Sequence, residues 1–391
     1  MPEIYDVLIV GAGPAGGTCA FNSAKLGLKT LIIEEHKSIG EPVHCGECLS
    51  DLALKNLGLK LPAKVVSEHV KGVRVIFPNN KASLVNEPGY VLEKHIFEQW
   101  IVEEAQKQGA EILLETGLAE LKRENNLWTV KAKNGKEFKT KILIDASGVS
   151  QVVSRILGLN EKSKIVTGIQ YEMKDIPRDG YLDFFIWPRL APYGYLWMIP
   201  KSNGRANVGL VTDQIPKAKK FLDEFVKEMH WEKNVVVKTF GGAIPSSGPL
   251  PNTYSEGLML IGDAAGFTSP LFEGGSHLGM KSGFFAAQVA KKSIDAGNFS
   301  KEFLAEYKKL WEKEFPPYAT LVKGKNSMYA MTDEELNTIA DQMPKDLTQI
   351  GIVGQATIAL KILAKNPGLA SKDLKTTLEA FKYSRAQYYG W

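Results

Sequence analysis

Two cysteines, Cys45 and Cys48, are separated by two residues in the segment 41–50, EPVHCGECLS, and are the first candidates for chemistry in this sequence. Such a pair can hold a metal ion, form a redox-active disulfide, or belong to a loop in which the sulfur atoms do no chemistry. A zinc site needs two further ligands, and beyond the adjacent His44 no complementary pair is evident. The sequence therefore predicts no metal site, and the spacing alone leaves the other two interpretations open.

A glycine-rich turn lies before this pair, in the segment 5–35, YDVLIVGAGPAGGTCAFNSAKLGLKTLIIEE. The pattern predicts a strand over 6–10, the turn, a helix over 18–26 and a second buried strand. Gly11 permits the tight turn, Gly13 lets the backbone approach a pyrophosphate, and Gly16 lets the helix pack closely on the strand. Glu34 follows at the spacing of the acid that bonds a ribose, so this unit predicts a bound dinucleotide.

Two later segments indicate that the dinucleotide is FAD. Residues 258–270, LMLIGDAAGFTSP, form a strand end with Asp263, and residues 139–155, KTKILIDASGVSQVVSR, form one with Asp145. Both resemble FAD fingerprints of flavoprotein hydroxylases and their relatives, in which the aspartate of the first segment bonds the ribityl chain. The sequence holds no second G-x-G-x-x-G motif, so a separate NAD(P)H domain is not evident. Disulfide reductases carry such a domain and a wider cysteine pair, which argues against a redox disulfide at Cys45 and Cys48.

The cysteine segment, GEPVHCGECLS, resembles the P-x-x-C-G-x-x-L-S loop of archaeal geranylgeranyl reductases, and the resemblance covers most of the chain. It extends to YVLEKHIFEQWIVEEAQKQGAEI, to APYGYLWMIPKSNGRANVGL and to GDAAGFTSPLFEGGSHLGMKSGFFAAQVA. The resemblance implies an α/β fold: an FAD-binding Rossmann-like domain of the glutathione reductase/p-hydroxybenzoate hydroxylase type, an antiparallel-sheet substrate domain and a helical C-terminal region. It also implies an enzyme that saturates double bonds of isoprenoid chains in membrane lipids.

Site residues follow from the resemblance and the motifs together. The expected catalytic residues are Cys45, Tyr195, Trp197, Glu273 and His277. The expected FAD-binding residues are Gly11, Gly13, Pro14, Ala15, Gly16, Glu34, Glu35, His44, Cys45, Gly46, Cys48, Lys94, Leu118, Asp145, Gly148, Gly262, Asp263, Pro270, Gly274, Gly275 and Ser276.

The chain departs from the family pattern at four positions. Glu273 replaces a glycine in the loop that faces the flavin, and Lys94 stands where a flavin-contacting arginine is usual. Ile199 replaces a phenylalanine, and Cys48 stands where several relatives have glycine. These departures leave the FAD prediction unchanged, but they leave the substrate and the role of Cys48 open.

The FAD-binding domain is expected to be discontinuous, over residues 1–75, 90–160 and 256–300. The substrate domain is expected over 76–89 and 165–255, where aromatic and branched residues with prolines favour an antiparallel sheet. The aromatic cluster at 181–197 is either sheet core or one wall of a long apolar pocket. Residues 301–391 are predicted to be helical, with a capping box at Thr332 and Glu335. The segment 381–391, FKYSRAQYYGW, could touch a membrane interface, but packing on its own domain or on a partner is favoured.

Composition limits the function further. A net charge of +4 over 391 residues argues against nucleic acid as a partner, and no apolar run is long enough to cross a bilayer. Three cysteines favour a reducing cytoplasm, so we predict a cytoplasmic protein, for which peripheral contact at the inner membrane face stays open. The expected partners are a prenyl lipid and an electron donor, either NAD(P)H or ferredoxin.

An isolated double bond has no carbonyl to accept hydride, so its reduction pairs hydride from the flavin with a proton from an acid. The candidate acids are Glu273, His277, Cys45 and His44, while Tyr195 and Trp197 could stabilise positive charge on the substrate. Two other functions stay open. One is a flavin monooxygenase or halogenase acting on an aromatic substrate, and the other is a non-catalytic protein that binds FAD or lipid.

Overall fold

The computed structural model describes residues 3–348, 352–383 and 385–391. Its strands are, in chain order, β1 (Ile4–Val10), β2 (Thr30–Ile33), β3 (Cys48–Ser50), β4 (Val66–Val70), β5 (Gly72–Ile76), β6 (Ala82–Val85), β7 (Gly89–Leu92), β8 (Glu111–Leu113), β9 (Leu118–Glu124), β10 (Leu127–Ala132), β11 (Glu137–Asp145), β12 (Ile165–Lys174), β13 (Tyr181–Phe185), β14 (Tyr195–Pro200), β15 (Arg205–Thr212), β16 (Val236–Pro245), β17 (Tyr254–Ser255) and β18 (Leu258–Leu260).

The helices are α1 (Pro14–Lys25), α2 (Asp51–Leu57), α3 (Lys94–Lys107), α4 (Val152–Leu157), α5 (Ala218–Glu228), α6 (Ser276–Ala296), α7 (Lys301–Glu314), α8 (Tyr318–Tyr329), α9 (Asp333–Ala340), α10 (Ile352–Lys365), α11 (Leu374–Tyr383) and α12 (Ala386–Tyr389). The first predicted helix begins at Pro14 and not at residue 18, because proline suits the first helical position, where its missing N–H costs no hydrogen bond.

The first sheet has a parallel core in the order β18-β11-β1-β2-β8, with β17 pairing at one edge and the antiparallel strands β9 and β10 attached to β11. The register aligns Val10 with Ile33 and with Asp145, and Asp145 with Leu260. Four parallel strands therefore end side by side. Ligands of open α/β sheets bind at this carboxyl edge, because the chain reverses its winding there.

The second sheet is mixed, in the order β16-β12-β15-β14-β13-β5-β6, and β13 with β5 is its parallel pair. It begins at Gly72, before the expected domain boundary at residue 76. Side chains alternate along β14. Leu196 and Met198 join a core formed with α5, whereas Tyr195, Trp197 and Ile199 belong to the core shared with the first sheet. The face that carries Tyr195 and Trp197 is thus turned toward the first sheet.

The described residues from 301 onward are mainly helical, and their helices join the same core as the first sheet. The predicted capping box is present, with the Thr332 hydroxyl and the Glu335 carboxylate each accepting a backbone N–H. Residues 349–351 lie outside the described residues, and the chain is helical again over Ile352–Lys365. In the described ranges, no helix is both long and apolar enough to cross a membrane. The predicted fold class is confirmed by the parallel core of the first sheet, the mainly antiparallel second sheet and this helical region.

Candidate active site

A deep cleft lies at the carboxyl edge of the parallel sheet. It consists of an outer cavity of about 720 Å³ and an inner cavity of about 700 Å³, which share the glycine turn at Gly13, the cysteine segment at His44 and the loop at Gly148. The outer cavity is lined by the ends of β1 and β2, and the inner cavity lies between the first sheet, the second sheet and the segment 272–276. An extended dinucleotide fits such a two-part cleft.

At two of its glycines, the glycine turn is packed too closely against the backbone to accept a side chain. A Cβ atom at Gly16 would lie 2.0 Å from the Gly11 carbonyl oxygen, and one at Gly11 would lie 2.4 Å from the Ala146 carbonyl oxygen. At Gly13, by contrast, a Cβ atom would meet nothing within 4 Å, so the turn is open toward the cleft at the start of α1. The free N–H groups and the positive end of the helix dipole favour an anionic group there. The site therefore fits the pyrophosphate of FAD.

The acidic residues at the strand ends have different environments. Glu34 Oε2 accepts a hydrogen bond from the Ala12 amide at 2.8 Å, and Glu34 lines the outer cavity. Asp263 lines the inner cavity and accepts a hydrogen bond from the Thr268 hydroxyl at 2.8 Å, and burial raises its pKa. Asp145 is fully buried, and both its oxygens accept hydrogen bonds from residues 147 and 154. It orders the loop beneath the cleft instead of lining it.

The cysteine segment crosses the inner cavity and is hydrogen-bonded to two strands of the second sheet at adjacent residues. His44 Nδ1 donates to the Gly241 carbonyl oxygen over 2.6 Å, and Gln170 Nε2 donates to the Cys45 carbonyl oxygen over 2.7 Å. Both cysteines are free thiols, and burial raises the pKa of Cys48, so its thiol stays protonated. In the parts of the chain that the structure describes, no group of three potential metal ligands comes together.

A buried ionic cluster anchors this segment, and sequence reasoning missed it. Glu47, which lines the inner cavity, lies 2.7 Å from Lys201 Nζ and accepts hydrogen bonds from Asn207 Nδ2 and from the Lys94 amide. The side chains of Glu47 and Lys201 are each 2% exposed. A second carboxylate, Glu93, lies 3.1 Å from the same ammonium group. Glu47 has a left-handed backbone conformation, which is unusual for a residue other than glycine. This conformation is visible only in the structure, so no signal in the sequence marks Glu47 as special.

The opposite wall of the inner cavity is aromatic. The rings of Phe184, Tyr195 and Phe272 are in mutual contact, with centroids 5.4–5.7 Å apart, and Trp197 lies 5.7 Å from Tyr195. Trp197 Nε1 donates to Gln170 Oε1 at 2.9 Å, which links this wall to the cysteine segment. Other members of the aromatic cluster at 181–197 lie elsewhere, because Phe185 and Trp187 pack against α5 and Tyr193 is exposed. The cluster is thus divided between the cavity wall and the core beside α5.

The inner cavity adjoins a small apolar pocket of about 80 Å³ between the second sheet and the C-terminal helices. Four residues line both spaces: Phe184, Phe272, Tyr389 and Trp391. Tyr389 and Trp391 are at most 5% exposed, so this part of the segment 381–391 packs on its own chain, as predicted. The aromatic wall therefore leads from the inner cavity into an apolar space.

Most of the predicted site residues line the cleft. Those on the inner cavity are Gly13, Pro14, Ala15, Glu35, His44, Cys45, Gly46, Cys48, Lys94, Gly148, Tyr195, Trp197, Gly262, Asp263, Glu273, Gly274, Gly275 and Ser276, and those on the outer cavity include Gly11, Glu34 and Leu118. Gly16, Asp145, Pro270 and His277 line neither cavity.

The four candidate acids differ in access to the cleft. Cys45 and His44 lie on its wall, and the carboxyl of Glu273 is buried beneath it, with its side chain 3% exposed. His277 is 1% exposed, and burial lowers its pKa to about 4, so its ring is neutral near pH 7. The geometry of His277 therefore does not suit a proton donor to this cavity.

Comparison with known proteins agrees with this site. Residues 6–156 match the family model for FAD dependent oxidoreductases, and residues 164–244 match that for the geranylgeranyl reductase catalytic domain. The digeranylgeranylglycerophospholipid reductase of Methanocaldococcus jannaschii is 36% identical, covering 95% of this chain and 98% of that protein. That of Methanococcus vannielii is 34% identical, covering 94% and 97%.

Solved structures give the same result. The chain resembles a geranylgeranyl bacteriochlorophyll reductase-like protein from Thermoplasma acidophilum with a TM-score of 0.87 and 31% identity, over 96% of this chain and 99% of that one. A flavin-dependent brominase is similar with a TM-score of 0.72 at 20% identity, over 96% and 94%, which shows a shared fold alone. The chain belongs to the digeranylgeranylglycerophospholipid reductase family, and it is an FAD-dependent oxidoreductase.

Proposed function

We propose that this protein saturates carbon–carbon double bonds in the geranylgeranyl chains of a membrane phospholipid. The observation that carries the proposal is the aromatic wall, which runs from the FAD cleft into the apolar pocket beside the C-terminal helices. A polyprenyl chain would bury its methylene groups there, each contributing about 0.8 kcal/mol relative to water.

The chemistry needs a hydride and a proton on the two carbons of one double bond. When bound and reduced, FAD supplies the hydride. Phe184, Tyr195 and Trp197 would exclude water from the bond, and an aromatic face stabilises nearby positive charge by about 0.5–2 kcal/mol. We propose that the proton comes from Cys45 or His44, since both line the cavity. The single-turnover rate of double-bond reduction, measured in Cys45→Ala and in His44→Ala, distinguishes the two: the rate should fall more in the variant that lacks the donor.

Two further partners are proposed, an electron donor and a membrane surface. With no second dinucleotide fingerprint in the sequence, the electron donor, NAD(P)H or ferredoxin, is expected to reduce the flavin through the open cleft. Peripheral membrane contact is proposed through the outer face of α10, where Leu360 is 69% exposed beside Lys361. Co-sedimentation with anionic vesicles tests this contact, and Leu360→Glu should reduce it.

The experiment for the function is anaerobic. The flavin is reduced with dithionite, a digeranylgeranyl phospholipid is added, and flavin reoxidation is followed together with the gain of one H₂ per saturated bond in the product mass. Trp197→Phe should slow reoxidation more than it weakens FAD binding, because it alters the wall and removes the hydrogen bond to Gln170. Trp231→Phe, in the core beside α5, is the matched control and should keep the rate.

Two outcomes would contradict the proposal. If no prenyl lipid gains hydrogen while an aromatic compound triggers oxygen uptake, the protein is a hydroxylase or halogenase. If the reduced flavin is not reoxidised by any substrate, the protein binds FAD without turnover. Dependence on chain length, more than on head group, is the expected pattern in detergent.

A further inference from the structure

Three consecutive residues of the segment that faces the flavin cavity are each held by a side chain from another element. The Leu271 carbonyl oxygen accepts from Tyr329 OH at 2.7 Å, and the Phe272 carbonyl oxygen accepts from Tyr195 OH at 2.7 Å. The third contact is ionic, with Glu273 Oε1 2.8 Å from Lys325 Nζ. Residues 271–273 are therefore fixed by α8 and β14, and the contact at Glu273 is the one that can change its charge.

Glu273 adopts a conformation that an ordinary side chain disfavours. Its φ angle is +49°, in the left-handed region where glycine is preferred and where a side chain strains the backbone. The residue is partly exposed toward the cavity, yet its side chain is 3% exposed and that of Lys325 is 9% exposed. The backbone thus faces the cavity while the carboxyl group points into the protein. Its second oxygen, Oε2, is buried and has no hydrogen-bond partner in the structure.

The groups around the carboxyl explain its charge behaviour. Lys325 and Tyr329 face it from α8, Tyr195 from β14 and Tyr389 from α12. Burial raises the pKa of each of the three phenols, so they stay neutral. Burial also raises the pKa of Glu273 to about 7, although Lys325 favours the ionised form. Near neutral pH the ion pair is therefore only partly formed.

We propose that Glu273 is a positioning residue for FAD, whose ion pair with Lys325 holds the segment 271–275 in the conformation that receives the flavin. Protonation of Glu273 removes the ionic contact and frees residue 273, while the hydrogen bonds to the Leu271 and Phe272 carbonyl oxygens remain. The proposal rests on the FAD site that the proposed function uses and not on the prenyl substrate. It also gives the strained backbone at this position a role, because strain persists where surrounding contacts impose it.

The affinity for FAD should depend on pH, because the proposal couples FAD binding to the ionisation of Glu273. If FAD favours the ionised form of Glu273, bound FAD must lower the pKa of Glu273 by the same coupling. FAD affinity then rises with pH through the pKa of about 7. A shift of about one pKa unit corresponds to a change of about tenfold in the dissociation constant.

The test is a titration of the full-length apoprotein with FAD, followed by flavin absorbance and fluorescence, at a series of values from about pH 6 to pH 8. In the unmodified protein, the dissociation constant should fall by about fivefold over this range, which covers about half of the full tenfold change. In Glu273→Gln, the affinity should be weak throughout and should lack this step. Lys325→Met should also weaken binding throughout and should lack the step, because neither form of Glu273 can then make the ion pair.

Controls separate this effect from general damage. His36 and His44 also line the cleft, but both remain in every variant, so the difference between variants isolates Glu273. Asp183→Asn, which removes a buried carboxylate paired with Arg74 away from the cleft, should keep the pH step. If a single variant fails to fold, the double variant Glu273→Gly/Lys325→Met removes both charges and the strained side chain. It should bind FAD without the pH step.

The result that would overturn the proposal is a Glu273→Gln protein, or the double variant in its place, that keeps the same affinity and the same pH step. The absence of a step in the unmodified protein would do so as well. Neither result bears on prenyl reduction, which is measured with saturating FAD, so this proposal and the proposed function fail independently.

Discussion

Lys201→Met should destabilise the protein by about 3 kcal/mol, far more than removing an exposed lysine from an ion pair of the same length. Lys201 Nζ lies 2.7 Å from Glu47 Oε2 and 3.1 Å from Glu93 Oε2, and its side chain is 2% exposed. Removing one partner of a buried ion pair costs about 3–5 kcal/mol, because the remaining charge is left uncompensated. We expect the lower end, since Glu47 still accepts hydrogen bonds from Asn207 and from the Lys94 amide.

The matched control is Lys131→Met. Lys131 lies 2.8 Å from Glu120, but the two side chains are 49% and 68% exposed, so the loss should be under about 1 kcal/mol. Urea unfolding of the apoproteins, followed by tryptophan fluorescence, measures both changes. The double variant Glu47→Gln/Lys201→Met should recover part of the loss, because it leaves no unpaired buried carboxylate at Glu47. Equal effects of Lys201→Met and Lys131→Met would refute the reasoning.

Three further predictions follow from the site. Asp263→Ala should lose FAD on desalting while Asp295→Ala, on the exposed face of α6, retains it; full retention in Asp263→Ala would remove the assignment of this strand end to the cofactor. Cys48→Ser should keep bound FAD and most prenyl-reducing activity, because burial keeps this thiol protonated; activity lost with FAD still bound would contradict this. The pKa of Glu273 is 4.5 when the chain is unfolded and about 7 when it is folded, so the folded state binds more protons between these two values. The free energy of unfolding of the apoprotein should therefore fall by about 3 kcal/mol as the pH rises from about 4.5 to about 7. In Glu273→Gln that contribution to the pH dependence of urea unfolding should be absent, and an unchanged slope would show that Glu273 does not titrate there.

The sequence predicted the parts of the site that depend on local geometry. Gly11 and Gly16 are required because a single Cβ atom at either position would collide with a carbonyl oxygen a few residues or one strand away. The alternation of side chains along β14 likewise follows from a period of two, once the strand is recognised. Such features are determined within one turn or one pair of strands, so residue type and spacing are sufficient to locate them.

The parts that sequence reasoning missed depend on contacts between distant segments. Lys201 follows a proline, and lysine is usually a surface residue. Only the folded chain brings it to Glu47, 154 positions earlier. Lys325 reaches Glu273 in the same way, across 52 positions. A lysine in a sequence indicates a charge but not its partner, and exposed lysines are far more common than buried ones. No spacing rule could have located either ion pair.

The position of Tyr389 and Trp391 shows why the C-terminal helices belong to the site. A Cβ atom at Gly274 would lie 2.4 Å from the Tyr389 ring and 2.7 Å from the Trp391 carbonyl carbon, so the flavin-facing segment and residues 389–391 fit together only because residue 274 is glycine. The same two aromatic residues line both the inner cavity and the apolar pocket. Hydride transfer to an isolated alkene benefits from a dry cavity, because excluded water cannot compete for the charge that develops. The parallel sheet supplies the cofactor edge and β14 supplies one wall, but neither reaches the far side of the cavity. A segment contributed by the helices closes it, and the path that an apolar chain would follow therefore passes between that segment and the second sheet.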